Sequence, residues 1–233
     1  MYVSAIVVAA GKSKRFGHKV SKVVLKLNSR PIIAYSLAVL NAHPQIKEII
    51  VVGNPGNIRV LGSIIRQNRI SKEVKVILGG KERCDSVANG LQAASSKADF
   101  ILIHDAARPF ITRGLVSSVL KETHRSGAAI AAVPVKATIK EIRREKQKNK
   151  FRVEKTLDRQ NLWEIQTPQA FKKDLILRAY KKFSSLKATD DAMLAERLGV
   201  KVSVVLGSYD NIKITTPEDL IIAKGIARLW KPA

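Results

Sequence analysis

A chain of 233 residues, 45% of them apolar and only 5% aromatic, suits one α/β domain with a Val, Ile, Leu and Ala core. The formal net charge of +23 favours anionic partners: nucleic acid, membrane surfaces or small polyanions such as nucleotides and sugar phosphates. No apolar run approaches the roughly 18 residues of a membrane span, Cys84 leaves no internal disulfide to form, and the first strand starts too early for a signal peptide, so a cytoplasmic, membrane-free protein is expected.

Apolar runs alternate with helix-period segments. Strands are expected at Val3–Ala9, Glu48–Val52, Val74–Leu78, Phe100–His104, Ala128–Val133, Leu162–Gln166 and Val202–Leu206, with a short one near Asn211–Ile214. Helical patterns cover Pro31–Ala42, Gly56–Asn68, Ser86–Ser95 and Thr112–Arg125, then Lys172–Phe183, Asp190–Leu198 and Pro217–Trp230. Thr216-Pro217-Glu218-Asp219 and Thr189-Asp190-Asp191 are strong helix starts, and Gly199 is a stop. The alternation implies a Rossmann-like α/β fold, a mainly parallel sheet with helices on both faces. One segment breaks the rhythm. Around a polar tip at Lys146–Lys150, Thr138–Ile142 and Phe151–Glu154 alternate in the manner of a β-hairpin with too little apolar surface to stand alone. It reads as a charged surface loop or as an arm, residues 136–158, that packs on a second subunit.

Chemistry concentrates at strand ends. Val3–Ala9 runs into Ala10-Gly11, and Lys12, Lys14, Arg15 and Lys22 follow, at the sheet edge where open α/β folds bind ligands. Small residues there let backbone N–H groups approach a phosphate. The loop is not a Walker motif, which needs glycine where Ile6 stands. Nor is it a dinucleotide fingerprint, which needs glycines at Ser13 and Phe16. After the third strand, Gly79-Gly80 leads to Arg83 and Ser86; after the fourth comes His104-Asp105-Ala106-Ala107-Arg108-Pro109. Asp105 needs a cation, which is either Arg108 or a bound metal, and His104 reads as a packing residue. No Ser–His or Cys–His pair, zinc-finger spacing or aromatic–basic interleaving is visible.

In this order AAGxxxRFG, GGKERCDSV, HDAARPF, PVKAT, LDRQNLWEIQTPQAF, TDD and DNIKIT resemble the 2-C-methyl-D-erythritol 4-phosphate cytidylyltransferase family, from Val3 to about Trp230. The resemblance implies a CTP-dependent nucleotidyltransferase of non-mevalonate isoprenoid biosynthesis, using Mg²⁺ and forming a homodimer through interlocked hairpin arms. It also implies roles. Arg15 and Lys22 match the pair that stabilises the pentacoordinate α-phosphate. Ala9, Ala10, Gly11, Gly80, Arg83 and Ser86 fall where the family holds the nucleotide. Asp105 and Arg108 fall at the ribose, metal and acceptor. Thr138, Arg159, Thr167 and Thr189 match the holders of the sugar phosphate, with Arg159 and Thr167 expected to cross from the partner subunit, and Lys213 matches the lysine that aligns the attacking phosphate. The chain departs from the family pattern at Ser13 (usually Gly), at Ser21 and Val23 (usually Pro and Gln), and at Ala137 (commonly an acid).

The residue types suit that chemistry unaided. A phosphate monoester, with a second pKa of about 6, needs no general base to attack; it needs alignment and charge stabilisation. Two other readings remain open at this stage: a cytidylyltransferase for another polyol phosphate such as ribitol 5-phosphate, or a basic nucleic-acid-binding module.

Overall fold

The computed structural model describes residues 1–231 apart from 12, 14–15, 17–20, 146–149, 184–185 and 187. Its centre is the first apolar run, β1 (Val3–Val8), which pairs in parallel with β4 (Ile46–Gly53) on one side and β6 (Phe100–Asp105) on the other. β5 (Glu73–Leu78) adds beyond β4, also in parallel. On the far side of β6 come β10 (Trp163–Lys172), β7 (Ala128–Pro134) and β11 (Ser203–Leu206), completing a seven-stranded sheet in the order β11-β7-β10-β6-β1-β4-β5. From β1 the chain first builds through β4 and β5, then crosses to β6. The crevice above the carboxyl ends of β1 and β6 is therefore the switch point where such sheets take ligands.

β10 is the antiparallel member, running against both β6 and β7. It extends well past the expected Leu162–Gln166, and its amino end lies at the same edge as the carboxyl ends of its neighbours. Its register slips: Ile165 pairs with Ala132 and Gln169 with Ile130, so residues 166–168 stand against Ala131 alone. A bulge of this kind bends a strand and re-aims its side chains.

Helices cover both faces because the buried strands present apolar residues to each. α1 (Ile32–Ala42), α2 (Ile58–Gln67) and α4 (Arg113–Ser126) close one core with Leu37, Leu40, Leu61, Val116 and Leu120. α3 (Arg83–Ala93), α5 (Lys173–Lys182) and α6 (Asp191–Arg197) close the other around Val87, Phe171, Ile176 and Leu194. A buried side chain of this size contributes roughly 1.5–3 kcal/mol. α4 starts where the Thr112 hydroxyl accepts the Leu115 N–H at 3.1 Å, and stops at Gly127, whose φ of +88° suits glycine. α7 (Pro217–Leu229) opens on a capping box between Thr216 and Asp219. It buries Ala223 in a third cluster with Phe16, Tyr35, Phe110 and Ile214.

Two short strands absent from the sequence reading, β2 (Lys26–Leu27) and β3 (Arg30–Pro31), form a tight ribbon before α1. The strand expected near Asn211–Ile214 does not form. There the Asn211 side chain bonds Gln166 Oε1 and the Thr167 carbonyl, and the Ile214 N–H donates to Ala107, so the segment is pinned by a side chain and has no ladder. The hairpin is present as β8 (Lys140–Arg144) and β9 (Phe151–Thr156), every residue of both strands exposed, including Ile142, Phe151 and Val153. Among the described residues no helix is long and apolar enough to cross a membrane.

Candidate active site

Three strand ends build the crevice. After β1 the backbone turns through Ala9, Ala10 and Gly11, held from behind by two amides the sequence reading passed over. Asn57 Nδ2 donates to the Ala9 carbonyl at 2.9 Å, and Asn54 Nδ2 to that of Ala10 at 3.1 Å. Ser13 sits at φ +50°, and its hydroxyl accepts the Lys22 N–H at 3.0 Å, tying the two ends of the loop together. Arg15 lies outside the described residues.

After β5, Gly79-Gly80 passes directly into α3. That helix begins three residues earlier than its apolar pattern suggests, because Glu82 and Asp85 form a reciprocal capping box. Arg83 is thus fixed on a helical turn. Ser86 Oγ accepts the Gly80 N–H at 3.2 Å and donates to the Glu82 carbonyl at 3.0 Å, folding the glycine loop back over the helix start.

At the end of β6 the Asp105 carboxylate divides between two cations. Lys213 Nζ stands 2.6 Å from Oδ2, and Arg83 Nε 3.2 Å from Oδ1. Burial alone would raise its pKa; Arg83 first, then Lys213, hold it well below the usual carboxylate range. This corrects the sequence expectation, since Arg108 is not the counter-ion. The Arg108 guanidinium donates instead to the carbonyls of Asn211 (2.7 Å) and Ile165 (3.2 Å), bracing the loop before Lys213. Among the described residues no group of three or more His, Cys, Asp or Glu side chains is placed to hold an ion, so a metal caged by the protein alone does not fit this donor set. A cation carried by substrate phosphates would meet Asp105 as a single protein ligand that already faces Arg83 and Lys213.

The bulge of β10 locks these loops together. Thr167 Oγ1 accepts the Asp105 N–H at 3.0 Å and meets His104 Nδ1 at 3.0 Å. The other His104 nitrogen lies 3.0 Å from the Arg108 carbonyl, and burial pushes the ring's pKa down to about 4. His104 is thus a neutral strut between two site residues, more than the packing residue expected. Gln166 Nε2 donates to the Ser208 carbonyl at 2.8 Å while its Oε1 accepts from Asn211. Gln169 Nε2 reaches Asp190 at 2.9 Å, and its Oε1 accepts the Ala192 N–H. Three residues of one short run, Gln166, Thr167 and Gln169, thereby hold the Asp105 loop, the Lys213 loop and the start of α6. The Gln-Thr-Pro-Gln run was visible in the sequence, but the glutamines carried no chemical signal of their own.

Two cavities open onto this frame. One, of about 400 Å³, is lined by Ala9, Ala10, Gly11, Gly80 and Ser86, with Lys22 and Thr215 opposite. The other, of about 470 Å³, is lined by Arg108, Thr167, Thr189, Gln166 and Met193. Arg83, Asp105 and Lys213 line both, so the divided carboxylate is the wall between them. Every residue expected to hold the nucleotide lies on the first cavity. Of the acceptor residues, Arg108, Thr167, Thr189 and Lys213 lie on the second, whereas Thr138 and Arg159 line neither; Arg159 donates to the Lys136 carbonyl at the root of the hairpin. Thr167 corrects a second expectation: buried against Asp105, it serves the cavity of its own chain.

With that geometry in place, the comparison with known proteins is direct. The profile of the family described as IspD, 2-C-methyl-D-erythritol 4-phosphate cytidylyltransferase, matches residues 3–228. The chain belongs to this family. An Alkaliphilus metalliredigens protein named 2-C-methyl-D-erythritol 4-phosphate cytidylyltransferase is 45% identical over 227 residues, covering 96% of this chain and 92% of that one. The crystal structure of 4-diphosphocytidyl-2C-methyl-D-erythritol synthase from Anaerococcus prevotii superposes with a TM-score of 0.84 at 31% identity, covering 97% and 98% of the two chains. The Thermus thermophilus cytidylyltransferase gives 0.77 at 32% identity, covering 98% and 100%.

Within the cytidylyltransferase family the departures of this chain now have physical settings. The positive φ at Ser13 is one that glycine adopts without strain; serine is retained here with its hydroxyl on the Lys22 amide. Ser21 has φ −61°, the value proline would impose, and its hydroxyl accepts from Asn57 instead. Val23 is buried in the core. Nothing in the structure explains Ala137, which is exposed.

Proposed function

We propose that the protein transfers the cytidylyl group of CTP to 2-C-methyl-D-erythritol 4-phosphate, releasing pyrophosphate, as the cytidylyltransferase of non-mevalonate isoprenoid biosynthesis. The observation that carries the reading is the common wall: two cavities meet at Arg83, Asp105 and Lys213, where a nucleotide in one and a phosphorylated polyol in the other would touch. CTP takes the cavity of Ala9–Gly11, Gly80 and Ser86, its phosphates toward the basic first loop. The acceptor takes the cavity of Arg108, Thr167 and Thr189.

The acceptor phosphate, near its dianion at neutral pH, attacks the α-phosphorus in line. A new P–O bond forms as the bond from the α-phosphorus to the β-phosphate oxygen breaks, and its electron pair leaves with pyrophosphate. No proton needs to be moved, consistent with His104, at the end of β6, being buried and neutral. The chain's task is to bring two polyanions together and spread the developing charge. Lys213 aligns the attacking phosphate, Lys22 serves as a compact positive charge, and Arg15 forks across two oxygens. The divalent cation, Mg²⁺ foremost, enters as the counter-ion of the triphosphate and belongs to the substrate. The exposed apolar residues of β8 and β9 support a homodimer through this arm, with Thr138 and Arg159 completing the acceptor site across it. A cytoplasmic location, with neither membrane nor nucleic acid as a partner, belongs to the same reading.

The test is pyrophosphate release with each of the four nucleoside triphosphates, Mg²⁺, and either methylerythritol phosphate or ribitol 5-phosphate. CTP with methylerythritol phosphate should dominate. Equal or faster turnover of ribitol 5-phosphate would reassign the acceptor. No release from CTP, together with steeply salt-dependent binding to nucleic acid, would end the reading.

A further inference from the structure

Behind the wall between the cavities lies a second carboxylate that the transfer reaction does not touch. Asp191, the first residue of α6, is fully buried and lines neither cavity. Its Oδ2 accepts from Arg83 Nη2 at 2.8 Å, and its Oδ1 accepts from the Tyr180 hydroxyl, on α5, at 2.5 Å. Arg83 Nε meanwhile serves Asp105. One guanidinium is thus held through Nε and Nη2 by two carboxylates from different elements, while its buried Nη1 has no hydrogen-bond partner among the described residues. The chain of contacts runs Tyr180, Asp191, Arg83, Asp105, Lys213, through 2.5, 2.8, 3.2 and 2.6 Å.

Removing the far anchor has a definite consequence. An arginine facing a single carboxylate takes it with two parallel N–H bonds. Freed from Asp191, Arg83 would turn onto both oxygens of Asp105 and compete with Lys213 for Oδ2. Asp191 prevents this by occupying Nη2, the nitrogen beside Nε, and the Tyr180 hydroxyl holds Asp191 against rotation. Burial raises the pKa of the Tyr180 hydroxyl, so it remains a donor.

We infer that Asp191 and Tyr180 are positioning residues for cytidylyl transfer, acting through Arg83 to keep one oxygen of Asp105 for Lys213. The inference rests on the transfer reading above and adds to it two residues that touch neither substrate.

The experiment is a pair of double-mutant cycles on pyrophosphate release from CTP and methylerythritol phosphate. In the otherwise native protein, Asp191→Asn should lower kcat/KM about 10-fold or more, and Tyr180→Phe about 3-fold. In an Arg83→Gln background each should cost less than about 2-fold, because the residue they act through is gone. Tyr180→Phe keeps the test decisive if Asp191→Asn fails to fold. A nitrogen-15 measurement on the unliganded protein gives a readout independent of turnover. The two Nη groups of Arg83 should be resolved while Nη2 is held by Asp191 and Nη1 is not, and should average together in Tyr180→Phe or Asp191→Asn. Losses that multiply undiminished in the Arg83→Gln background, or native behaviour of the single variants, would overturn the inference. An inactive native protein would instead sink the transfer reading, while the nitrogen-15 spectra would still decide whether Asp191 holds Arg83.

Discussion

Thr167 and Asp105 lie 62 positions apart, yet the hydroxyl of one accepts the backbone N–H of the other at 3.0 Å in the buried floor of the site. The same hydroxyl meets His104, so a single oxygen fixes both the backbone and the neighbour of the residue dividing the two cavities. Thr167→Val keeps the shape and leaves the Asp105 amide without its partner. It should cost about 1–3 kcal/mol of stability, whereas Thr167→Ser should retain most of it. Urea midpoints of the two variants check this, and equal midpoints would show the hydroxyl to be idle.

Lys213 is partly exposed and pairs with a carboxylate that keeps Arg83 without it. Lys213→Ala should therefore fold normally while losing on the order of 10²–10³ in turnover, the size of one lost charge-stabilising donor. Arg15→Ala and Lys22→Ala are expected to fall in the same range. Pyrophosphate release within a few-fold of native in any of the three would remove that residue from the mechanism.

His104 makes stability depend on pH. Its folded pKa of about 4 is below the ordinary 6.5, so as pH drops below 6.5 the unfolded chain takes up a proton that the folded one refuses. The native state should lose stability across that interval by about 1.4 kcal/mol per pH unit, some 3 kcal/mol in all, with the loss complete near pH 4. His104→Gln lacks the titration, so its stability deficit relative to native should shrink from pH 7 to pH 4. A deficit that stays constant in denaturant titrations would contradict this.

Gly207 follows β11 where the chain passes over the Gln166 side chain. A Cβ there would stand 2.5 Å from Gln166 Oε1 and 3.3 Å from the Ala132 carbonyl. Gly207→Ala should destabilise by about 1–3 kcal/mol and, by shifting Gln166, disturb the Ser208–Asn211 loop that leads to Lys213. Thermal unfolding together with the KM for the acceptor would register both effects. An unchanged melting temperature would mean that the loop yields freely.

The hairpin exposes Ile142, Phe151 and Val153 on a ribbon too small to be stable alone. Replacing Phe151 and Val153 together by Glu should leave the sheet domain folded but shift sedimentation from dimer to monomer, with a rise in the acceptor KM. Unaltered sedimentation would place any dimer contact elsewhere.

Much of this protein is local in origin. β-Branched runs ending in Ala-Ala-Gly or Gly-Gly, and helix starts such as Thr216–Asp219, depend on near neighbours, and they foretell the α/β alternation, the strand-end loops and the residues that line the first cavity. The expected strand at Asn211–Ile214 failed because its apolar pattern carried no information about the Asn211 side chain, which spends its hydrogen bonds on β10. Likewise, no local rule distinguishes Arg108 from Arg83 or Lys213 as the partner of Asp105. Three positions along the chain argue for Arg108, but the end of β6 aims it at carbonyls, while the topology carries the other two cations in from α3 and the last loop.

The amino-acid order alone thus determined the layered fold, the strand-end edge at which the two cavities open and the basic and small residues gathered there, since periodicity and turn chemistry act over a few residues. Only the tertiary structure decided which charges meet, that Gln166, Thr167 and Gln169 join three loops, and that Asp191 and Tyr180 stand behind Arg83. Coulombic and hydrogen-bond partners are chosen by distance in space, and that distance is set by strand order and by a two-residue slip in the register of β10.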